Sequence, residues 1–318
     1  MKKSLIALGV AAGMFGVAHA DTTNLYGALG FSMSVTDSEA GFKDNVWDLA
    51  KHTSRFGIKG TEDLSNGLQA FFKFELDVDP EGDWKDNMRS NPKGANGTRF
   101  AYIGLKGDFG TLTLGRQNSL WKTVMDQNNF NDVFTSAAGI GKLGRVSKAV
   151  SYVSPAFSGF QFAGSAIFDG ANPATKGADA YEVAALYDNY GVNAGVVYSN
   201  IKVGTGRAKD TTELTGLNVG YKMDDTFSVN FGAAHKSSAG ERYNLQGEYF
   251  LGANTFRAGV NYDDNKGKGA SDPLTAALGY QYNFSKRTYV WVEGEYTDYD
   301  VKGKDNGYQV FVGARHNF

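Results

Sequence analysis

The sequence predicts an all-β protein, a 16-stranded antiparallel transmembrane β-barrel. Three observations carry that prediction. Apolar and polar residues alternate with a period of two along many segments, tight turns take turns with longer polar connections, and the chain opens with an export leader. The final strand shows the alternation most cleanly. Tyr308, Val310, Val312, Ala314, His316 and Phe318 fall on one face, and Gln309, Phe311, Gly313, Arg315 and Asn317 on the other.

Residues 1–20 have the parts of a signal peptide. Lys2 and Lys3 supply the positive start, residues 5–17 the apolar stretch, and Ala18-His19-Ala20 the small-x-small cleavage pattern. The domain division is therefore a signal peptide over 1–20 and a barrel over 21–318. Without the leader, 30 basic residues stand against 34 acidic ones, a net charge of −4 with histidine neutral. Such a balance lacks the basic footprint of a nucleic-acid-binding protein, so no nucleic-acid partner is expected. With no cysteine, a disulfide framework is excluded. Forty-one glycines, 22 phenylalanines and 17 tyrosines against five prolines suit neither a helical protein nor a disordered chain. The negative mean hydropathy of −0.36 excludes a helical membrane protein but not a barrel, in which only alternate residues touch lipid.

Turn chemistry divides the rest. Gly, Asn, Asp, Ser and Pro mark tight turns at 62–67, 108–110, 155–158, 188–191, 222–226, 251–254 and 285–287. Longer polar stretches lie at about 36–51, 79–97, 118–147, 169–179, 200–211, 237–241, 264–272 and 299–306. Seven turns and eight loops join sixteen strands. Between them, segments such as 274–284, 227–236 and 242–249 oppose an apolar face to one carrying Arg242, Asn244, Gln246 and Glu248. That polar face would ruin a dry core, whereas facing a wet lumen it costs little. A closed barrel also pairs every strand edge that lipid could not satisfy. Tyr280, Tyr282 and Phe284, near a strand end, fit an interfacial aromatic girdle.

Three stretches carry a resemblance to a known family. They are residues 54–64 (SRFGIKGTEDL) running on to Glu75, residues 99–117 (RFAYIGLKGDFGTLTLGRQ), and the terminal strand ending in phenylalanine. Asn24-Leu25-Tyr26-Gly27 fits the same family's opening strand. The chain resembles the general porins of Gram-negative outer membranes, in particular those of β-proteobacteria. The resemblance implies a homotrimeric, water-filled barrel in the outer membrane for passive diffusion of small hydrophilic solutes and ions. It also implies contacts with outer-membrane lipid and lipopolysaccharide, and recognition of Phe318 by the barrel-insertion machinery. Trimer contacts would use the outer faces of the first strands, including Phe56 and Ile58, with the second loop reaching a neighbour.

The longest connection, about 118–147, is the constriction loop that the resemblance implies folds inward. Phe130, Val133, Phe134 and Ile140 give it apolar anchors. Carried over by position, Arg55, Arg99 and Arg145 match wall arginines, and Asp126 and Asp132 are the loop acids expected opposite them. Lys59 and Lys73 share the inward face with Arg55 and Glu75 by alternation. Ala28 and Ser151 stand where some relatives carry lysine and arginine, which leaves ion preference open.

No catalytic pattern competes with this reading. Gly-x-Ser-x-Gly and the phosphate-binding Gly-x-x-x-x-Gly-Lys-Ser/Thr are absent, and His52, His235 and His316 have no Asp or Ser at motif spacing. Neither a cofactor nor a metal is expected. Two alternatives remain: a substrate-specific channel, for which inward Tyr289 and Trp291 speak, and a barrel serving mainly as a surface adhesin or receptor.

Overall fold

The computed structural model describes residues 22–37, 46–78, 97–133, 136–141, 143–168, 177–203, 210–267, 270–300 and 306–318. The leader, Phe134 and most of the second loop lie outside these residues. The strands in chain order are β1 Thr22–Asp37, β2 Val46–Lys51, β3 Arg55–Asp63, β4 Gln69–Asp77, β5 Thr98–Gly107, β6 Gly110–Asn118, β7 Arg145–Val153, β8 Phe160–Ile167 and β9 Ala180–Asn189. They continue as β10 Val192–Val203, β11 Asp210–Met223, β12 Phe227–Lys236, β13 Gly240–Leu251, β14 Asn254–Asn265, β15 Leu274–Asn283, β16 Thr288–Asp298 and β17 Gly307–Asn317.

Each strand pairs antiparallel with its neighbours, and β1 pairs with β17, so the sheet closes on itself. Both β2 and β3 pair with β1, Phe31 opposite Lys51 and Ala28 opposite Arg55. They are one stave interrupted by a bulge at 52–54, which makes seventeen segments sixteen staves. The hydroxyl of Ser54 closes that bulge by donating to the Gly30 carbonyl at 3.1 Å and accepting from the Gly30 N–H at 3.0 Å. The first connection is consequently shorter than expected, because residues 46–51 are strand rather than loop. All seven tight turns fall where turn chemistry placed them.

The outward face is apolar, with Leu25, Ile103, Phe162, Leu245, Leu278 and Val312 well exposed. In water such a surface would aggregate; in lipid it is the solvated side. Phe56 also points outward and is exposed.

A second bulge changes how one functional residue must be read. Glu75 pairs with Phe100 and Leu76 with Thr98, so Arg99 is an extra residue on β5. Strict alternation would send Arg99 outward with Ala101 and Ile103. The bulge re-aims it inward, where its Nε reaches Glu75 at 2.6 Å.

The closing seam relies on a close approach. Gly27 exchanges both backbone hydrogen bonds with Phe318 at 3.0 Å, and a Cβ at Gly27 would meet the Phe318 ring and the Arg55 carbonyl at 2.8 Å. Gly27→Val should therefore block closure and abolish the compact, heat-sensitive band that a folded barrel gives on electrophoresis in SDS. An unchanged band would rule out this packing requirement.

Candidate functional site

Residues 119–133 and 136–141, between β6 and β7, pack against the inside of the barrel. The segment opens with a six-residue helix, α1 (Leu120–Met125). Ser119 caps it by accepting from the Lys122 N–H at 2.9 Å. Buried Glu182 of β9 accepts from the Leu120 and Trp121 N–H groups at 2.9 and 3.0 Å and from the Ser199 hydroxyl at 2.9 Å. Three N–H groups that the first helical turn leaves free thus acquire acceptors, one of them a carboxylate at the positive end of the helix.

The helix buries Leu120, Trp121, Val124 and Met125 on an apolar inner patch formed by Ala163, Ala184, Val197, Leu214 and Ala234. The inward face of β8–β12 is thus apolar at this height, not polar as alternation alone implied. Glycines make the seat deep enough. A Cβ on Gly195 would meet Val124 Cγ1 at 2.8 Å, and one on Gly216 would meet Met125 Cγ at 2.9 Å.

Beyond the helix the chain crosses toward β13–β17. Asn129 N–H donates to Gln246 at 3.0 Å and Ala137 N–H to Asn244 at 3.1 Å. Glu293 of β16, 1% exposed, accepts from the N–H groups of Asn131 and Asp132 at 2.9 and 2.8 Å. Phe130 and Val133 pack on Ala277 and Phe311. Asp132 is held three ways: His52 Nδ1 at 2.9 Å, Trp291 Nε1 at 2.7 Å and Ser32 Oγ at 3.3 Å. The His52 ring lies 4.6 Å from that of Trp291. Sequence spacing could not have joined His52 to Asp132, since the bulge at 52–54 makes the contact.

The basic residues gather on the other part of the wall. Glu75, 1% exposed, accepts from Arg99 Nε at 2.6 Å and from the Tyr26 hydroxyl at 2.8 Å, with Lys73 Nζ at 3.5 Å. Arg99 also reaches Asp77 at 3.6 Å. Lys59 and Lys73 are direct cross-strand partners, a repulsive pairing offset by the Tyr26 ring, whose centroid lies 5.4 and 5.6 Å from the two ammonium groups. The Phe100 ring takes two cations, Lys73 Nζ at 4.0 Å and the Arg145 guanidinium at 4.8 Å from its centroid.

Arg55, Arg99, Arg145, Lys59 and Lys73 therefore share one basic wall around Glu75. Asp126 pairs instead with Lys122 one helical turn away and with Ser136 Oγ at 3.3 Å, and Asp132 is tied to His52 and Trp291. Lys122, paired with Asp126, also feels the like charges of Arg145 and Arg99. Sequence reasoning missed the roles of Glu182, Glu293 and His52 and the membership of Arg315. Alternation places Glu293 and Arg315 inward, but nothing in the sequence says what they hold. Arg315 and Arg99 are the like charges that act on Arg55.

A closed barrel, greased outside, with charged side chains and a packed segment inside, is the architecture of a membrane channel. The comparisons specify which. Residues 4–304 match the model of the Gram-negative porin family, and the chain belongs to that family. It is 31% identical over 351 residues to the major outer membrane protein P.IB of Neisseria meningitidis serogroup B, covering 100% of both chains. It is 27% identical over 386 residues to a monosaccharide porin of a Halomonas species, again covering 100% of both. The fold is similar to that of an anion-selective porin from Comamonas acidovorans, with a TM-score of 0.76, 21% identity and coverage of 93% of this chain and 99% of that one. This is a multi-pass outer-membrane porin, a water-filled barrel for passive diffusion of small hydrophilic solutes.

Removing one anchor should loosen the inward segment. Glu293→Ala deprives three backbone N–H groups, those of Asn131, Asp132 and Val133, of a charged acceptor, a loss of about 1.5–3 kcal/mol for each buried bond to a charge. Single-channel recording should show higher conductance and more open-channel noise. A quiet, unchanged conductance would mean that the segment is held without Glu293.

Proposed function

We propose that residues 118–147 and the basic wall together form the constriction of this porin, and that it favours small anions. One observation carries the reading. The Nε atoms of Arg55 and Arg145 are buried without a hydrogen-bond partner among the described residues, whereas both loop acids already have cationic or N–H partners. Guanidinium groups in excess of the carboxylates beside a narrow aqueous path raise the local concentration of anions and lower that of cations. The fold shared with a porin described as anion-selective accords with this.

Arg99 fixes Glu75 and so orders the cluster. Lys59 and Lys73 extend the positive potential along the path. Asp126 and Asp132 shape the segment more than they oppose the wall, since each is already engaged. The rest of the proposal follows from family membership: residues 1–20 direct export, three copies associate through the outer faces around β1–β3, lipopolysaccharide surrounds the trimer, and Phe318 presents the chain to the insertion machinery. The protein acts by diffusion and carries no catalytic activity. A channel specific for one sugar, named for the Halomonas relative, is less well supported, because Trp291 is 2% exposed and occupied with Asp132 rather than free to stack on a solute.

Reversal potentials in a potassium chloride gradient test the reading. The wild type should favour chloride. Glu75→Gln should strengthen that preference, and Arg145→Gln should weaken it by a few-fold, with conductance retained. A wild-type channel that prefers potassium would overturn the proposal.

A further inference from the structure

Two glycines on the lipid side of the barrel have no packing reason to be glycine. Gly247 of β13 and Gly294 of β16 share the outward faces of the exposed Leu245 and Val292. At Gly27 or Gly313 an added Cβ would collide with an aromatic ring. At Gly247 its closest contact would be 3.4 Å and at Gly294 3.6 Å, both ordinary spacings. Neither residue has a positive φ, and the ladder passes through both without a bulge. A glycine inside a strand costs stability, and where no bulge explains it, it marks a place that a ligand approaches closely.

One register row joins the two. Gly247 pairs with Ala258, Ala258 with Leu278, and Leu278 with Gly294. Side chains this small leave an apolar trough of about 1350 Å³, from which Leu278 rises as a ridge, 70% exposed. The next outward row toward the tight turns is aromatic. Tyr249 pairs with Phe256 and Phe256 with Tyr280, their ring centroids 6.4 and 5.3 Å apart. The Tyr280 hydroxyl donates to Asn254 Oδ1 at 2.7 Å, beside the 251–254 turn. Rings so placed mark the edge of the hydrocarbon layer, and short turns face the periplasm. The trough therefore opens toward the leaflet made of phospholipid, not toward the lipopolysaccharide leaflet.

Charge completes the match. Past the aromatic row, the turn between β15 and β16 carries Lys286 and Arg287, both exposed and in no ion pair among the described residues. The neighbouring 251–254 turn holds no acid. We propose that the trough binds the acyl chains of an anionic phospholipid from the periplasmic leaflet, with its phosphate at Lys286 and Arg287. Basic side chains at the membrane surface draw anionic headgroups, and the acyl chains pass Tyr280 to lie against Gly247, Ala258 and Gly294. A second barrel would cover this surface without filling it, because its own outer face is convex. The site uses no residue of the lumen, so it stands or falls independently of the channel's ion preference.

Native mass spectrometry of the folded protein in detergent tests the site, with dioleoyl phosphatidylglycerol, dioleoyl phosphatidylcholine or lipid A added. The wild type should retain phosphatidylglycerol at about tenfold lower concentration than phosphatidylcholine or lipid A. Gly247→Leu combined with Gly294→Leu fills the trough and should raise the half-saturating phosphatidylglycerol concentration about tenfold. Ala258→Phe, which builds on an existing Cβ, should do the same and serves if the double variant fails to fold. Lys286→Gln combined with Arg287→Gln should erase the preference for phosphatidylglycerol over phosphatidylcholine. The heat-sensitive folded band confirms each variant before it is compared. Wild-type protein that retains no lipid, holds both phospholipids equally or prefers lipid A would overturn the site, as would full retention by the filled-trough variants. A changed subunit number in those variants would assign the glycines to contact between copies and overturn it as well.

Discussion

Two buried carboxylates, Glu182 and Glu293, hold the interior of this barrel in its shape by accepting backbone N–H groups from the inward segment. Strands satisfy their own backbone through the closed ladder; an irregular segment laid inside the cylinder has no ladder to join. Its N–H groups need acceptors that reach inward from the wall. A carboxylate suits the task because its two oxygens can serve consecutive N–H groups, as Glu182 does for Leu120 and Trp121 and Glu293 for Asn131 and Asp132. These contacts set the position of α1, and the glycines at 195 and 216 let its apolar side sink into the wall.

This use of acids explains the electrostatic asymmetry of the lumen. On β9 and β13–β16 the inward acids are consumed: Glu182 and Glu293 by backbone, Glu248 by Arg257 and Asp263 by Arg242. On β3–β7 Glu75 and Asp77 stand amid Arg55, Arg99, Arg145, Lys59 and Lys73. The wall opposite the inward segment is left with an excess of positive charge, although the whole chain carries a formal net charge of −2. Net charge therefore says little about the field a permeating ion meets. What matters is which charges have no partner.

Much of the fold was legible from the sequence because a period of two and turn chemistry are local signals. The seven tight turns, the order of strands and the outward apolar face needed nothing else. The failures share a physical cause. Residues 46–51 looked like loop because the bulge at His52–Ser54 breaks the alternation just after them. The inward faces of Ala163, Ala184, Val197, Leu214 and Ala234 seemed to belong to a wet lumen, since a small apolar residue gives no sign of the helix that will cover it. Arg55, Arg99, Arg145, Lys59 and Lys73 do converge on one wall. Asp126 pairs within its own segment, with Lys122 one helical turn away, whereas Asp132 meets His52, 80 residues away, a contact that periodicity cannot express.

The extra residue on β5 has an implication for how such channels diversify. In a regular strand, changing an inward side chain to an outward one requires moving the entire register, which would expose every lipid-facing group to water. At Arg99 the ladder resumes its pairing after a single unpaired position. Deleting that one codon would straighten the strand and erase a guanidinium from the lumen while all remaining residues keep their sides. Insertions and deletions at this point can thus tune the ionic character of the channel in single steps, without remaking the wall around it.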